Sequence, residues 1–119
     1  MKVAIIDNDP AILRSVQILL TQAGHFVRAF SDCREALAQF ALEYRPDVII
    51  LDFVMPEMNG DCFLSTLRSS VKEIPRVILI SGHAELVARK ISDLRVDHFL
   101  PKPVDFDALL RLVDEEVVK

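Results

Sequence analysis

The sequence predicts an α/β domain with a parallel sheet between two layers of helix, and three observations carry that prediction. Short aliphatic runs, VAII (3–6), VIIL (48–51) and VILI (77–80), are too uniformly apolar for a half-exposed element and suit strands buried on both faces. The stretches between them carry apolar residues at helical spacing, with capping residues at their starts. Strand and helix patterns then alternate through five units, which implies parallel pairing and right-handed crossovers. The 119 residues fit one compact domain, 1–119, with enough core to need no disulfide or metal staple.

Each element has its local reason. After the first strand, Asp9 is a good N-cap with Pro10 at the first helical position. Ile12, Val16, Leu19, Leu20 and Ala23 then share a face, and Gly24 ends the helix. FVRAF (26–30) alternates, which places this strand nearer a sheet edge. Ser31 or Asp32 caps a second helix with the stripe Cys33, Ala36, Leu37, Phe40, Ala41 and Tyr44. The third strand leads to Asn59-Gly60, a turn pair whose glycine permits positive φ, and to a helix from about residue 60 to 69. A fourth helix is expected over about 84–93, and HFL (98–100) is a short fifth strand. Phe106, Leu109, Leu110, Val113 and Val117 form the stripe of the last helix.

Composition narrows the function. Hydrophobic residues make up 51% and charged residues 27%, with a net charge of −4. This balance gives no electrostatic footprint for nucleic acid and no polybasic membrane patch. No apolar run approaches the ~20 residues of a membrane span, and MKVAIID is interrupted at Asp7 before it can serve as a signal peptide. Cys33 and Cys62 lack metal-site spacing and fall in apolar helical patterns, so both are expected to be buried free thiols in a reducing compartment. A soluble cytoplasmic protein is the expectation.

The chemistry lies in the residues just past each strand, because open parallel sheets bind ligands outside the carboxyl ends of their strands. Asp7, Asn8 and Asp9 come after the first, Asp52 after the third and Ser81 after the fourth; Lys102, between Pro101 and Pro103, comes after the fifth. Parallel topology gathers these at one edge. Carboxylates, a hydroxyl and an ammonium suit a hard divalent cation together with an anionic oxyacid. No glycine-rich phosphate loop is present, so nucleotide binding is not expected.

VAIIDNDP, LDFVMPEMNG, ILISGH and FLPKP each end a predicted strand, in this order. On these motifs the chain resembles the bacterial two-component response-regulator receiver domain over nearly its whole length. Each motif alone is weak to moderate; the ordered set is specific. The resemblance implies a flavodoxin-like, doubly wound five-stranded sheet, order 2-1-3-4-5, with five helices. It implies that Asp52 is a phosphoacceptor, taking its phosphoryl group from a sensor histidine kinase or phosphotransfer protein in a Mg²⁺-dependent reaction. By the same resemblance Asp7, Asn8, Asp52 and the Val54 backbone carbonyl hold the metal, and Ser81 and Lys102 meet the phosphoryl group. Ser81 and Phe99 move as the switch, and the bond before Pro103 is often cis. Such a domain is a phosphoacceptor that assists its own phosphorylation and dephosphorylation rather than an enzyme with a separate substrate. Its fourth helix, fifth strand and fifth helix form the face presented to an output domain, a partner or a second copy. No direct nucleic-acid contact and no membrane contact are implied. Val54 and His83 occupy positions that tune phosphoryl lifetime in relatives.

Two positions depart from the pattern. Asn8 stands where a second acid is usual, which predicts weaker Mg²⁺ binding, and Arg95 stands where many relatives have glycine. Asn8 motivates a second reading, a receiver-like binding module without phosphotransfer. The DND triplet also resembles the start of haloacid-dehalogenase-like phosphatases, with Asp7 as nucleophile and Asp9 as acid/base. Pro10 and Ala11 in place of the usual Gly and Thr, and the shortness of the chain, count against that third reading.

Overall fold

A computed structural model describes residues 1–42, 44–55, 58–83, 85, 87–89 and 94–115. Five strands, β1 (Lys2–Ile6), β2 (Phe26–Phe30), β3 (Val48–Asp52), β4 (Arg76–Ser81) and β5 (His98–Pro101), form one parallel sheet in the order β2-β1-β3-β4-β5. Helices α1 (Pro10–Gln22), α2 (Cys33–Leu42), α3 (Gly60–Ser70) and a C-terminal helix (Phe106–Asp114) are fully described. The expected fourth helix, about 84–93, falls largely outside the described residues. At its start the Val87 N–H donates to the His83 carbonyl at 3.1 Å.

The aliphatic runs are strands because both sides of the sheet are covered. Ala4, Ile6, Ile49, Leu51, Val77 and Leu79 face one core with α2 and α3, while Val3, Ile5, Val48, Ile50, Ile78 and Ile80 face the other with α1 and the C-terminal helix. Period-2 side chains thus feed two hydrophobic layers from one strand. Edge strand β2 buries only Phe30 fully, as its mixed sequence predicts.

Helix starts obey the expected chemistry. The Asp9 side chain accepts from Ala11 N at 2.9 Å, with Pro10 opening α1. Asp32, rather than Ser31, caps α2 by accepting from Arg34 N at 2.8 Å. Gly24, at φ +96°, ends α1.

Four expectations are corrected. Cys33 is buried, but Cys62 is exposed, because α3 turns Phe63, Leu64 and Leu67 inward instead. Ala23 and Ala41 lie at the exposed margins of their helices. Phe106 is 40% exposed, since the C-terminal helix docks through Leu109 and Val113. Gly60 does not sit at positive φ. It is the first residue of α3, and a Cβ there would come within 3.0–3.1 Å of the Phe53 ring and Cα. The requirement at position 60 is close approach rather than backbone freedom. Val117 lies outside the described residues.

The sheet's amino-terminal edge is fastened by side chains. The Asp47 carboxylate accepts from Lys2 N and the Asp97 carboxylate from Val77 N, each at 2.8 Å, so two aspartates hold the starts of β1 and β4. Arg76, at the start of β4, donates to the carbonyls of Leu112 (3.0 Å) and Val113 (2.9 Å), satisfying C-terminal acceptors of the last helix. His25 reaches Asp114 at 2.6 Å, and His98 reaches Glu115 at 3.1 Å.

Candidate functional site at the carboxyl edge of the sheet

Parallel register brings the carboxyl ends of β1, β3, β4 and β5 side by side. Ile6 pairs with Leu51, Asp52 with Ile80 and Ser81 with Pro101. Asp7 comes directly after β1 and is completely buried, Asp52 is 4% exposed, and Ser81 is completely buried. Buried acids of this kind need compensation. Lys102 provides part of it, with Nζ 3.1 Å from Asp7 Oδ2 and 3.4 Å from Asp52 Oδ2.

The backbone aims these groups. Asp7 N donates to the Phe30 carbonyl at 3.0 Å, and Asp7 Oδ1 accepts from Asp9 N at 2.9 Å. Phe53 N donates to the Ile80 carbonyl at 2.9 Å, extending the β3–β4 ladder past Asp52, and the Phe53 carbonyl accepts from Gly60 N at 2.6 Å. Lys102 N donates to the Ser81 carbonyl at 2.8 Å, and the Lys102–Pro103 peptide bond is cis. Ser81 Oγ accepts from His83 N at 2.9 Å, which fixes the hydroxyl oxygen within its own turn.

The electrostatics record the crowding. Burial, then the neighbouring Asp7 carboxylate, push the Asp52 carboxyl up to about 6, against the pull of the Lys102 ammonium and the Val54 N–H. Burial works against the charge on Lys102, but its contacts with Asp7 and Asp52 outweigh it and hold the ammonium above its ordinary range. Two buried acids facing one ammonium leave net negative charge at the site. Asp7 Oδ2 is a buried oxygen with no hydrogen-bond partner beyond its 3.1 Å ion pair with Lys102 Nζ. A buried, under-satisfied carboxylate oxygen beside a second carboxylate fits a hard, oxygen-seeking cation. Among the described residues no three His, Cys, Asp or Glu side chains cluster as metal ligands. The exposed Asn8, next in the chain after Asp7, brings an amide rather than a third carboxylate.

The structure therefore gathers Asp7, Asp52 and Lys102 directly and places Ser81 on the adjoining strand end. Val54 is partly buried, its N–H directed at Asp52. Phe99 is partly buried against the α2/α3 core, paired in register with Leu79. His83 is exposed. Asp9 is committed to capping α1. Sequence reasoning missed the Gly60–Phe53 contact that closes the loop after Asp52. Its one signal was the glycine at position 60 itself, which the turn reading of Asn59-Gly60 absorbed.

This fold and site define a class. Residues 3–114 match the family model of the response regulator receiver domain, and the chain belongs to that family. It is 32% identical over 112 residues to the response regulator MprA of Mycolicibacterium vanbaalenii, covering 92% of this chain and 47% of that protein. It is 29% identical to the DNA-binding transcriptional regulator NtrC of Proteus hauseri, covering 95% of this chain and 24% of that protein. The chain thus spans about half the length of the first of these relatives, and about a quarter of the second. Among solved structures, the Francisella response regulator 1452 receiver domain superimposes with a TM-score of 0.83 at 28% identity, covering 95% of this chain and 93% of that one. The chemotaxis response regulator CheY4 of Vibrio cholerae superimposes with a TM-score of 0.82 at 30% identity, covering 94% of each chain. Receiver domains are signalling modules rather than classical enzymes. No helix among the described residues is long and apolar enough to cross a membrane.

Proposed function

We propose that residues 1–119 form a single receiver domain that accepts a phosphoryl group on Asp52 from a histidine kinase or phosphotransfer protein and passes the change to a partner or output domain. The observation that carries this reading is the convergence of a buried acid, Asp52, with a second buried acid, Asp7, around the ammonium of Lys102, at 3.4 and 3.1 Å. An Asp52 oxygen attacks the incoming phosphorus in line as the phosphohistidine nitrogen leaves, giving an acyl phosphate on Asp52. Lys102 exchanges part of its contact with Asp7 for a phosphoryl oxygen, and the Ser81 hydroxyl donates to another. Asp7, Asn8, Asp52 and the Val54 carbonyl would hold Mg²⁺, whose charge offsets that of the phosphoryl oxygens. Drawing Ser81 toward the new group moves the end of β4, and Phe99 on the neighbouring strand repacks. The face around the fourth helix, β5 and the C-terminal helix then presents a changed surface to an effector or a second copy. Cytoplasmic residence, and no direct nucleic-acid contact by this domain, complete the reading.

The test is mass spectrometry of the chain incubated with Mg²⁺ and a small acyl-phosphate donor. One phosphoryl group mapping to Asp52, and lost in Asp52→Asn, is the expected result. Label on Asp7 would mark the phosphatase reading, which the capping role of Asp9 already disfavours. No label, together with no Mg²⁺-dependent NMR change on adding beryllofluoride, would mark the binding module.

A further inference from the structure

At the pole opposite the reactive edge, a groove of about 470 Å³ lies at the start of β2, lined by Phe26, Val27 and Arg28 together with Lys2, Thr21, His25 and Tyr44. β2 is the end strand of the sheet. Phe26 N donates inward to the Met1 carbonyl, and the Phe30 carbonyl accepts inward from Asp7 N. Alternate residues of a strand direct their peptide groups to opposite sides, so Val27 and Ala29 present theirs outward, where no strand pairs with them among the described residues. Phe26 leaves 75% of its surface in solvent beside them. Arg28 is held in place, its Cζ 4.3 Å from the centre of the Tyr44 ring and its Nη1 3.4 Å from Gln39 Oε1.

We propose that this edge is a docking site for an extended, acidic segment of a partner protein, which adds as a sixth strand against Val27 and Ala29 and covers Phe26. Charge selects the occupant. In a chain of net charge −4, this groove presents Lys2 and Arg28 with no carboxylate in its described lining; of the acids beside it, Asp47 accepts from Lys2 N and Asp114 is engaged by His25. Backbone pairing supplies affinity, and the alternate side chains of the added strand supply selectivity. A second copy of the chain fits poorly. A two-fold pairing that sets Val27 against Ala29 of the other copy places Arg28 directly opposite Arg28, and like charges in that position repel. The site is independent of Asp52 chemistry, since β2 begins at the far end of the sheet.

The experiment is an NMR titration of the isotope-labelled chain with a blocked peptide of alternating Glu and Val around a central Phe, and with its twin carrying Lys for Glu. Shifts concentrated at residues 26–29, slowed exchange of the Val27 and Ala29 amides, and a dissociation constant below about 1 mM for the acidic peptide only are expected. Arg28→Glu, at an exposed position, weakens that binding about tenfold and lets the basic peptide bind instead. Phe26→Ala weakens it without changing the charge preference. Equal response to both peptides, shifts centred elsewhere, or no binding would overturn the proposal. So would concentration-dependent broadening at β2 without peptide, which would identify a second copy as the occupant. Acyl-phosphate labelling of Asp52 in Arg28→Glu serves as a separate control, expected to be unchanged.

Discussion

Three side chains show how single residues set the behaviour of this domain. Asp52 is held at about 6 rather than the ordinary 3.8. Between those values the folded chain keeps a proton that the unfolded chain has lost, so stability falls as pH rises through that window and the full cost is present above about 6. That cost is on the order of 3 kcal/mol. Asp52→Asn should therefore match the wild type near pH 4 and exceed it by roughly that amount at pH 7.5, with Mg²⁺ narrowing the gap. Denaturant titrations across pH check this, and a pH-independent difference would contradict it. Asn8 keeps an oxygen donor but drops a charge, so Asn8→Asp should tighten Mg²⁺ binding about tenfold, or ~1.4 kcal/mol. Equal affinities in calorimetry would show that position 8 is not a ligand. Arg95 adopts φ +54°, the left-handed region in which a Cβ is penalised. Arg95→Gly should raise unfolding stability by about 1 kcal/mol; a loss would mean that the Arg95 side chain contributes more than its backbone costs. Asp52 was legible in the sequence because it ends the VIIL run, and Lys102 because it stands between two prolines after the short HFL strand. The departure at Arg95 was legible too, but its consequence was not. Whether the turn would change shape or accept strain depends on Arg68, whose guanidinium donates to the Leu94 and Arg95 carbonyls at 2.6 and 3.0 Å and holds the turn as it is.

The elements owe their existence to local pattern and their placement to distant side chains. VAII, VIIL and VILI declared themselves as two-sided strands, and Asp9-Pro10 declared a helix start. Nothing local announced that the starts of β1 and β4 would be held by Asp47 and Asp97, or that the C-terminal helix would end against Arg76. Such contacts join residues 20 to 45 positions apart and leave no periodic trace. The helical stripes reach too far for a related reason: Ala23, Ala41 and Phe106 have the right spacing, but each lies at or just past an end of its helix and is exposed. Arg76→Ala removes two charge-assisted hydrogen bonds from the helix end and should cost about 2 kcal/mol. Hydrogen exchange should quicken in residues 106–114 more than in α1. Uniform acceleration would mean that Arg76 supports the whole sheet rather than this helix.

At the scale of the molecule, the sheet has two differently built ends. The carboxyl ends of the strands hold two acids, a hydroxyl and an ammonium in a buried and electrostatically uneasy group. The amino ends are fastened by Asp47, Asp97, Arg76, His25 and His98. This polarity is a product of parallel topology, which is why the convergence of these side chains could be read from strand ends alone. The loop contact between Gly60 and Phe53 could not, because it requires the third dimension. The division of labour has a consequence for change over time or by design. Substitutions in the turns around Asp52 and Ser81 can reshape the group at the carboxyl edge while the far ties continue to hold the architecture, so this edge is open to change without rebuilding the frame.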